Sequence, residues 1–474
     1  MKAKFPNGFL WGTAISAFQT EGGVSKDGDF PGIDWYPWTH SPEMISKKLV
    51  SGDLPENGDG FWDLYEEDMK RAVDLGTNSI RLSVEWGKIF RESTESVEAK
   101  VRRNSGGDVF AVDVDDNCFA GLSKIANWDT VEHYRKMLAF AKRLGLNVLL
   151  TISHFSLPLW VHDPLACHHD LQTASRKGWL DQKTVVEFGK YADFAGRVFS
   201  EHVDIWETIN EPEVVAAEGY LTRGFPPALS DPQLAFRAER NMAFAHSVGY
   251  RNLKKHSPDK PVGIAIARNA HVPADDDPRS RKVAEYAAYV TTEWILNALI
   301  YGAFDNDFDM VAEEHAEGMS GSDYLGLDYY NRIRVRYGEE KDQMVLHMET
   351  LPCVDCTDFH WDIYPEGIRS VSRWLHEKYR LPIYILENGL ADSKDEKRAR
   401  YIRAHLKELA DAINIDGVPI KGYYHWSLLD NFEWGQGYSM RFGLYAVDFE
   451  TKAREKRKSA EVFEQVCKTG ELEY

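Results

Sequence analysis

Two acidic residues stand where the chain has little other reason to keep a charge. Glu211 comes near the end of DIWETINEP (204–212), in which Ile205, Trp206, Thr208 and Ile209 are strand formers. Asn210, Glu211 and Pro212 then bring an amide, a carboxyl group and a block to further ladder pairing. Glu387 closes PIYILE (382–387), a second apolar run. Two carboxyl groups facing each other suit cleavage of a glycosidic bond: one attacks the anomeric carbon and the other protonates the leaving oxygen. Taken singly, a strand-terminal Glu is more often a helix-start aid or an ion-pair member. The chemistry therefore depends on a fold that brings both to one place.

The chain supplies such a fold. Short apolar runs at 9–18, 77–86, 146–155, 203–209, 261–268, 323–330, 382–387 and 420–428 alternate with helix-period segments such as 61–75, where Phe61, Tyr65, Met69 and Ala72 recur. Near-continuous Val/Ile/Leu runs between helices predict a parallel sheet covered on both faces, and eight such units predict an α/β fold, a single (β/α)8 TIM barrel over 1–474. The polar stretch 91–127 reads as an irregular loop insertion on that barrel. Polar residues at the C-terminal strand ends would form the active face. Gln19 follows the first run, His154 lies near the end of the third, and Asn210 and Glu211 end the fourth. Tyr330 closes the sixth run, Glu387 the seventh, and Trp426 lies near the end of the eighth. One mouth then collects two carboxyl groups, two amides, an imidazole, a phenol and an indole. The amides and His154 would grip sugar hydroxyls, and the aromatic faces would cover sugar C–H surface.

The bulk composition agrees with a small neutral substrate. At 474 residues, with 43% apolar and 28% charged residues, the chain is globular in composition, and barrels of this kind run long as one domain. A net charge of −19 argues against nucleic acid or an anionic membrane as partner. Five cysteines, an odd and sparse set, suit a reducing compartment better than a disulfide framework. Pro6, Asn7, Gly8 and Gly12 interrupt the first apolar run, so it reads as a strand rather than a leader, and the expected location is cytoplasmic. The sequence leaves the oligomeric state open, a homo-oligomer included.

Longer blocks carry a family resemblance. TINEP (208–212), ILENG (385–389), FLWGTAISAFQTEG (9–22) and HWSLLDNFEWGQGYSMRFGLYAVDF (425–449) resemble glycoside hydrolase family 1, in that family's order and over almost the whole chain. DWYPWTHSPE, LVSGDLPENG and SMRFGL are similar to its archaeal β-glycosidase branch. The resemblance implies a retaining, exo-acting β-glycosidase of β-glucosidase/β-galactosidase type, acting on terminal unphosphorylated glycosides and short oligosaccharides without metal or organic cofactor. It implies Glu211 as acid/base and Glu387 as nucleophile, with Asn210 on the sugar 2-hydroxyl. Gln19, His154, Glu433 and Trp434 match residues on the outer hydroxyls, Trp426 the pocket floor and Trp361 a platform for the leaving group. Arg81 and Tyr330 match partners that keep the nucleophile ionised and oriented.

The electrostatics expected are that Arg81 lowers the pKa of Glu387, while burial and the Glu387 charge raise that of Glu211. Four positions depart from the family pattern. Leu386 replaces a Thr, Asp328 stands where the family has Asn, Phe155 replaces a Trp, and EWGKI (85–89) replaces a Ser-Arg variant. Glu433 in DNFEW separates this chain from relatives specific for phosphorylated sugars, and Glu211 separates it from thioglucosidases, which have Gln there. An inactive sugar-binding barrel would be expected to have lost one of the two glutamates. Cys353-x-x-Cys356 lacks a second Cys/His pair and reads as loop thiols; Cys167-His168-His169 carries no metal expectation.

Overall fold

The computed structural model describes residues 2–22, 32–316, 318–319, 321–339 and 348–474. Eight parallel strands close into a barrel: β1 (Leu10–Ala14), β2 (Ser79–Ser83), β3 (Asn147–Thr151), β4 (Ile205–Asn210), β5 (Val262–Ala267), β6 (Tyr324–Asp328), β7 (Ile383–Asn388) and β8 (Ile420–Trp426). Each pairs with its neighbour in sequence, and β8 returns to β1 with Trp426 opposite Ala14. Every strand falls within one residue of a predicted run.

Long helices cover the outside, among them Phe61–Asp74, Trp128–Arg143, Gln182–Phe199, Pro232–His256, Pro365–Tyr379 and Arg398–Asn414. Their starts follow capping chemistry. Asn127 accepts from the Thr130 N–H at 3.2 Å, and Asp231 accepts from Gln233 with Pro232 in the first turn. Apolar residues fill two distinct spaces. One continuous layer lies between strands and helices. The other includes Leu149, Ile205, Ala265, Tyr324, Leu386 and Tyr424 and packs the barrel interior. Two polar tips in that interior are satisfied: Tyr424 bonds Ser79 at 2.7 Å, and Tyr324 donates to the Trp206 carbonyl at 2.9 Å. Leu386, one of the four departures, has a packing role. A Cβ on Gly326 would sit 2.4 Å from its Cδ1, so the absent side chain of one strand makes room for the larger one on the next.

Two expectations need correction. The stretch 91–127 is not an irregular loop: Lys100–Arg103 and Val109–Asp113 form an antiparallel hairpin, and Asp116–Ile125 is a helix. Val109, Val112, Val114, Cys118 and Leu122 bury their side chains, which is what orders the segment. Second, Cys353 and Cys356 are joined by a disulfide rather than standing as loop thiols, which removes the thiol argument for a reducing compartment at that loop. Cys118, Cys167 and Cys467 are free. The side chains of Cys167, His168 and His169 part to separate partners, the Arg176 carbonyl, the Pro227 carbonyl and Glu43. No helix among the described residues is long and apolar enough to cross a membrane.

Candidate active site

Two irregularities in the barrel aim the catalytic candidates. Strict alternation would turn Glu387 away from Leu386 and out of the barrel. Instead the register between β6 and β7 slips, Leu327 facing Ile385 while Asp328 faces Glu387. The extra residue is a β-bulge, and it brings Glu387 inward beside Leu386. A second slip lies in β4, where Glu207 faces Gly263 and Asn210 faces Ala265. Residues 207 and 210 thus both reach the interior. Glu211 follows with φ +45°, left-handed backbone that a residue with a Cβ seldom adopts. Gly389 is demanded by the same mouth, since a Cβ there would lie 1.8 Å from the Trp426 carbonyl oxygen.

Arg81, buried at the middle of β2, organises the floor. Its Nε and Nη2 each lie 2.8 Å from an oxygen of Glu207, Nη2 also reaches Asn210 Oδ1 at 2.5 Å, and Nη1 donates to Glu387 Oε1. Tyr330 donates to the other Glu387 oxygen at 2.5 Å. Both Glu387 oxygens are therefore held by protein donors. One oxygen each from Glu211, Asp328 and Glu387 lies within 4.8 Å of the other two.

The environments of the two glutamates differ in the sense their chemistry needs. Burial pushes Glu211 well above the usual carboxylate range, and the Glu387 and Glu213 charges push the same way. Burial raises Glu387 as well, against the lowering pull of Arg81 and Tyr330. Arg81 lowers Glu387 as expected, but in this dry site burial is the larger cause. The order survives, with Glu211 the better proton holder.

At the deep end, Gln19 donates to Glu433 at 3.1 Å and accepts from Ser16 at 2.7 Å. Burial, then the Glu387 charge, lifts Glu433 to about 8, with Gln19 opposing. His154 is held neutral by burial and by Arg81, and its ring lies nearly parallel to both Trp426 and Trp434, with centroids 6.0 Å and 6.2 Å away. Toward the opening, Trp361 stacks on Phe359 at 4.3 Å and leans on Tyr330 at 5.2 Å. A cavity of about 600 Å³ joins these groups, wide enough for a sugar and a further group. Gln19, His154, Glu211, Tyr330, Trp361, Trp426, Glu433 and Trp434 line it with Glu387, while Arg81 and Asn210 support from behind.

A family model for glycosyl hydrolase family 1 matches residues 1–101 and 120–472. The chain belongs to that family. The internal unmatched residues, 102–119, fall on the hairpin and the start of the helix that follow β2. The family 1 chain is 36% identical to a β-galactosidase of Pyrococcus woesei, covering 98% of this chain and 96% of that protein. It is also similar to the crystal structure of a β-glycosidase from the hyperthermophile Thermosphaera aggregans, with TM-score 0.92 and 35% identity over 99% of this chain and 98% of that one. A third likeness is the hyperthermophilic β-glucosidase of Pyrococcus furiosus, with TM-score 0.88 and 37% identity over 99% and 97%. This family 1 protein is a hydrolase of O-glycosyl bonds in β-glycosides, of the β-glucosidase/β-galactosidase type.

Residue-type reasoning passed over two members of the family 1 site. Glu207 sits mid-strand in WETIN, where a lone charge in an apolar run reads as noise, and its signal was its pairing with an equally misplaced Arg81. Asp328 was visible only as a substitution; the structure places one of its oxygens within 4.8 Å of an oxygen of each glutamate.

Proposed function

We propose that the protein is a retaining, exo-acting β-glycosidase that removes terminal, unphosphorylated β-D-glucosyl residues, and also β-D-galactosyl and β-D-fucosyl residues, through a covalent glycosyl-enzyme. The observation that carries this reading is the approach of Glu211 and Glu387 to within 4.8 Å, with protein donors on both oxygens of Glu387 alone. Two carboxyl groups about 5–5.5 Å apart leave no room for a water between them and the sugar, whereas inverting sites keep about 6.5–9.5 Å.

In the first step Glu387 attacks the anomeric carbon while Glu211 delivers its proton to the leaving oxygen. Ester formation removes the Glu387 charge, which is one of the causes holding Glu211 high. The Glu211 pKa then falls, and the same group takes a proton from the incoming water. A sugar hydroxyl in place of water gives transglycosylation. Asn210, polarised by Arg81 at 2.5 Å, binds the 2-hydroxyl, where contact tightens as positive charge grows on the ring. Gln19 and Glu433 meet the 4-hydroxyl in either orientation, which admits glucose and galactose, and fucose binds through the 4-hydroxyl contact alone. Proton NMR of the first product tests the assignment: β-anomer is expected, and α-anomer as the first product overturns it.

Exclusion of 6-phosphoglucosides follows from the same corner. Burial and the Glu387 charge push Glu433 up to about 8, and the Glu433–Gln19 pair offers a phosphate dianion no cation. Met440 and Phe442 occupy the stretch where a phosphate clamp would need basic and phenolic donors. Glucosides are expected to be cleaved well and 6-phosphoglucosides hardly at all.

A further inference from the structure

Asp328 is a third carboxyl group at the reaction centre. It lies at the end of β6, 1% exposed, with its backbone carbonyl accepting from the Arg268 N–H at 3.0 Å. Among the described residues, no N–H or hydroxyl donor meets either side-chain oxygen. One of its oxygens lies within 4.8 Å of an oxygen of Glu211 and of Glu387, and the Asp328 and Glu211 carboxyl groups can hydrogen-bond each other only once one of the two carries a proton. As two carboxylates the pair has no donor; as acid and carboxylate it has one, and as two acids two.

The surrounding charges decide which state holds. Arg81 is the cation on this floor, and it is already engaged by Glu207 and Glu387. Glu213 faces Glu211 from the following helix, Tyr330 is committed to Glu387, and the Arg268 guanidinium lies over Trp374, bonded to the Ala288 carbonyl. A further buried anion would stand beside two others with no donor of its own. We propose that Asp328 is held as a neutral carboxylic acid that donates its O–H to Glu211, acting as a positioning residue for the acid/base. This rests on the assignment of Glu211 as the acid/base. Burial and the Glu387 charge, the same causes that raise Glu211, raise Asp328.

The proton inventory then closes. Glu211 loses its proton to the leaving oxygen and becomes a carboxylate; Asp328 keeps its own proton and hydrogen-bonds the new charge. In the second step the proton from water returns to Glu211, and Asp328 is unchanged. A titratable acid thus does what an amide does where the family has Asn, but only while it stays protonated.

The test is the pH dependence of kcat/KM across aryl β-glucosides of graded leaving ability, for wild type, Asp328→Asn, Asp328→Leu and Glu211→Ala. Neutral acid to neutral amide should leave the acid and alkaline limbs within about half a pH unit of wild type. Asp328→Leu should lose about tenfold more on poor leaving groups than on activated ones, and Asp328→Asn should recover most of that difference. Difference infrared spectra between wild type and Asp328→Asn at neutral pH should show a protonated carboxyl band that the variant lacks. An ionised Asp328 predicts otherwise: its removal would lower the pKa of both glutamates and move both limbs down by about a unit or more. That shift, or a missing infrared band, or an Asn variant as impaired as the Leu variant, overturns the proposal. If Glu211→Ala itself shows no dependence on the leaving group, the acid/base assignment beneath it fails instead.

Discussion

Arg81 holds Glu207 in a two-pronged ion pair, with Nε and Nη2 each 2.8 Å from a carboxyl oxygen, and both side chains are buried. The planar fork leaves Nη1 pointing at Glu387. A lysine can supply the charge but not the three directions. Arg81→Lys should lower kcat for an aryl glucoside by about 10²-fold or more while moving KM less, because the nucleophile and Asn210 lose their orientation together. Steady-state kinetics check this; a loss of about threefold or less would show that the charge alone suffices.

The two glutamates should fail in different ways. Glu211→Ala should still react with activated aryl leaving groups, which need no proton, and then stall as the glycosyl-enzyme. Azide should relieve the stall and yield a β-glycosyl azide. Glu387→Ala should lose nearly all turnover with every leaving group, because no ester can form. Equal sensitivity of both variants across the series means the roles are misassigned.

Glu433 makes stability pH-dependent with a definite sign. Its folded pKa is raised to about 8, so the native state binds its proton more tightly than the unfolded chain does. The stabilisation this gives is fully present below the unfolded pKa of about 4.5 and is lost as pH rises through about 8. Glu433→Gln should therefore raise Tm relative to wild type above pH 8, by several degrees, with the gain shrinking toward acid. Thermal unfolding at acid and alkaline pH would show this, and a gain that is largest in acid contradicts the assigned burial.

Dialysis against EDTA should leave kcat/KM unchanged, since each step above already has a side chain to perform it. Recovery of lost activity by zinc or magnesium would assign a role to the three-carboxyl cluster of Glu211, Asp328 and Glu387 that proton transfer does not require.

The barrel was legible because its strands are buried on both faces, and VLLT or YILE has no competing helical reading once Gly, Pro and polar clusters bracket it. Strand ends followed, and with them the level of Gln19, His154 and Glu387. The direction of a side chain at that level was not legible. Two register slips decide that Asn210 and Glu387 face inward, and a bulge leaves no mark in composition or period. The hairpin and helix after β2 were missed because VFAVDV carries its apolar residues among charges, and its burial comes from contact with distant helices rather than from its own pattern. The Cys353–Cys356 disulfide was hidden by a count of five, which says nothing of a local pair.

The sugar corner is made by residues from opposite ends of the polypeptide: Gln19 and Glu433 are 414 positions apart, on either side of the seam where β8 meets β1. Arg81 and Glu387 are separated by 306. During synthesis on the ribosome, then, seven strands can be in place while the glycone corner does not yet exist. Capture of a sugar-shaped inhibitor during refolding would report closure of the seam between β8 and β1. A ligand that waits for that event also rewards it, so sugar in the refolding buffer should slow reopening of the seam more than it speeds collapse of the chain.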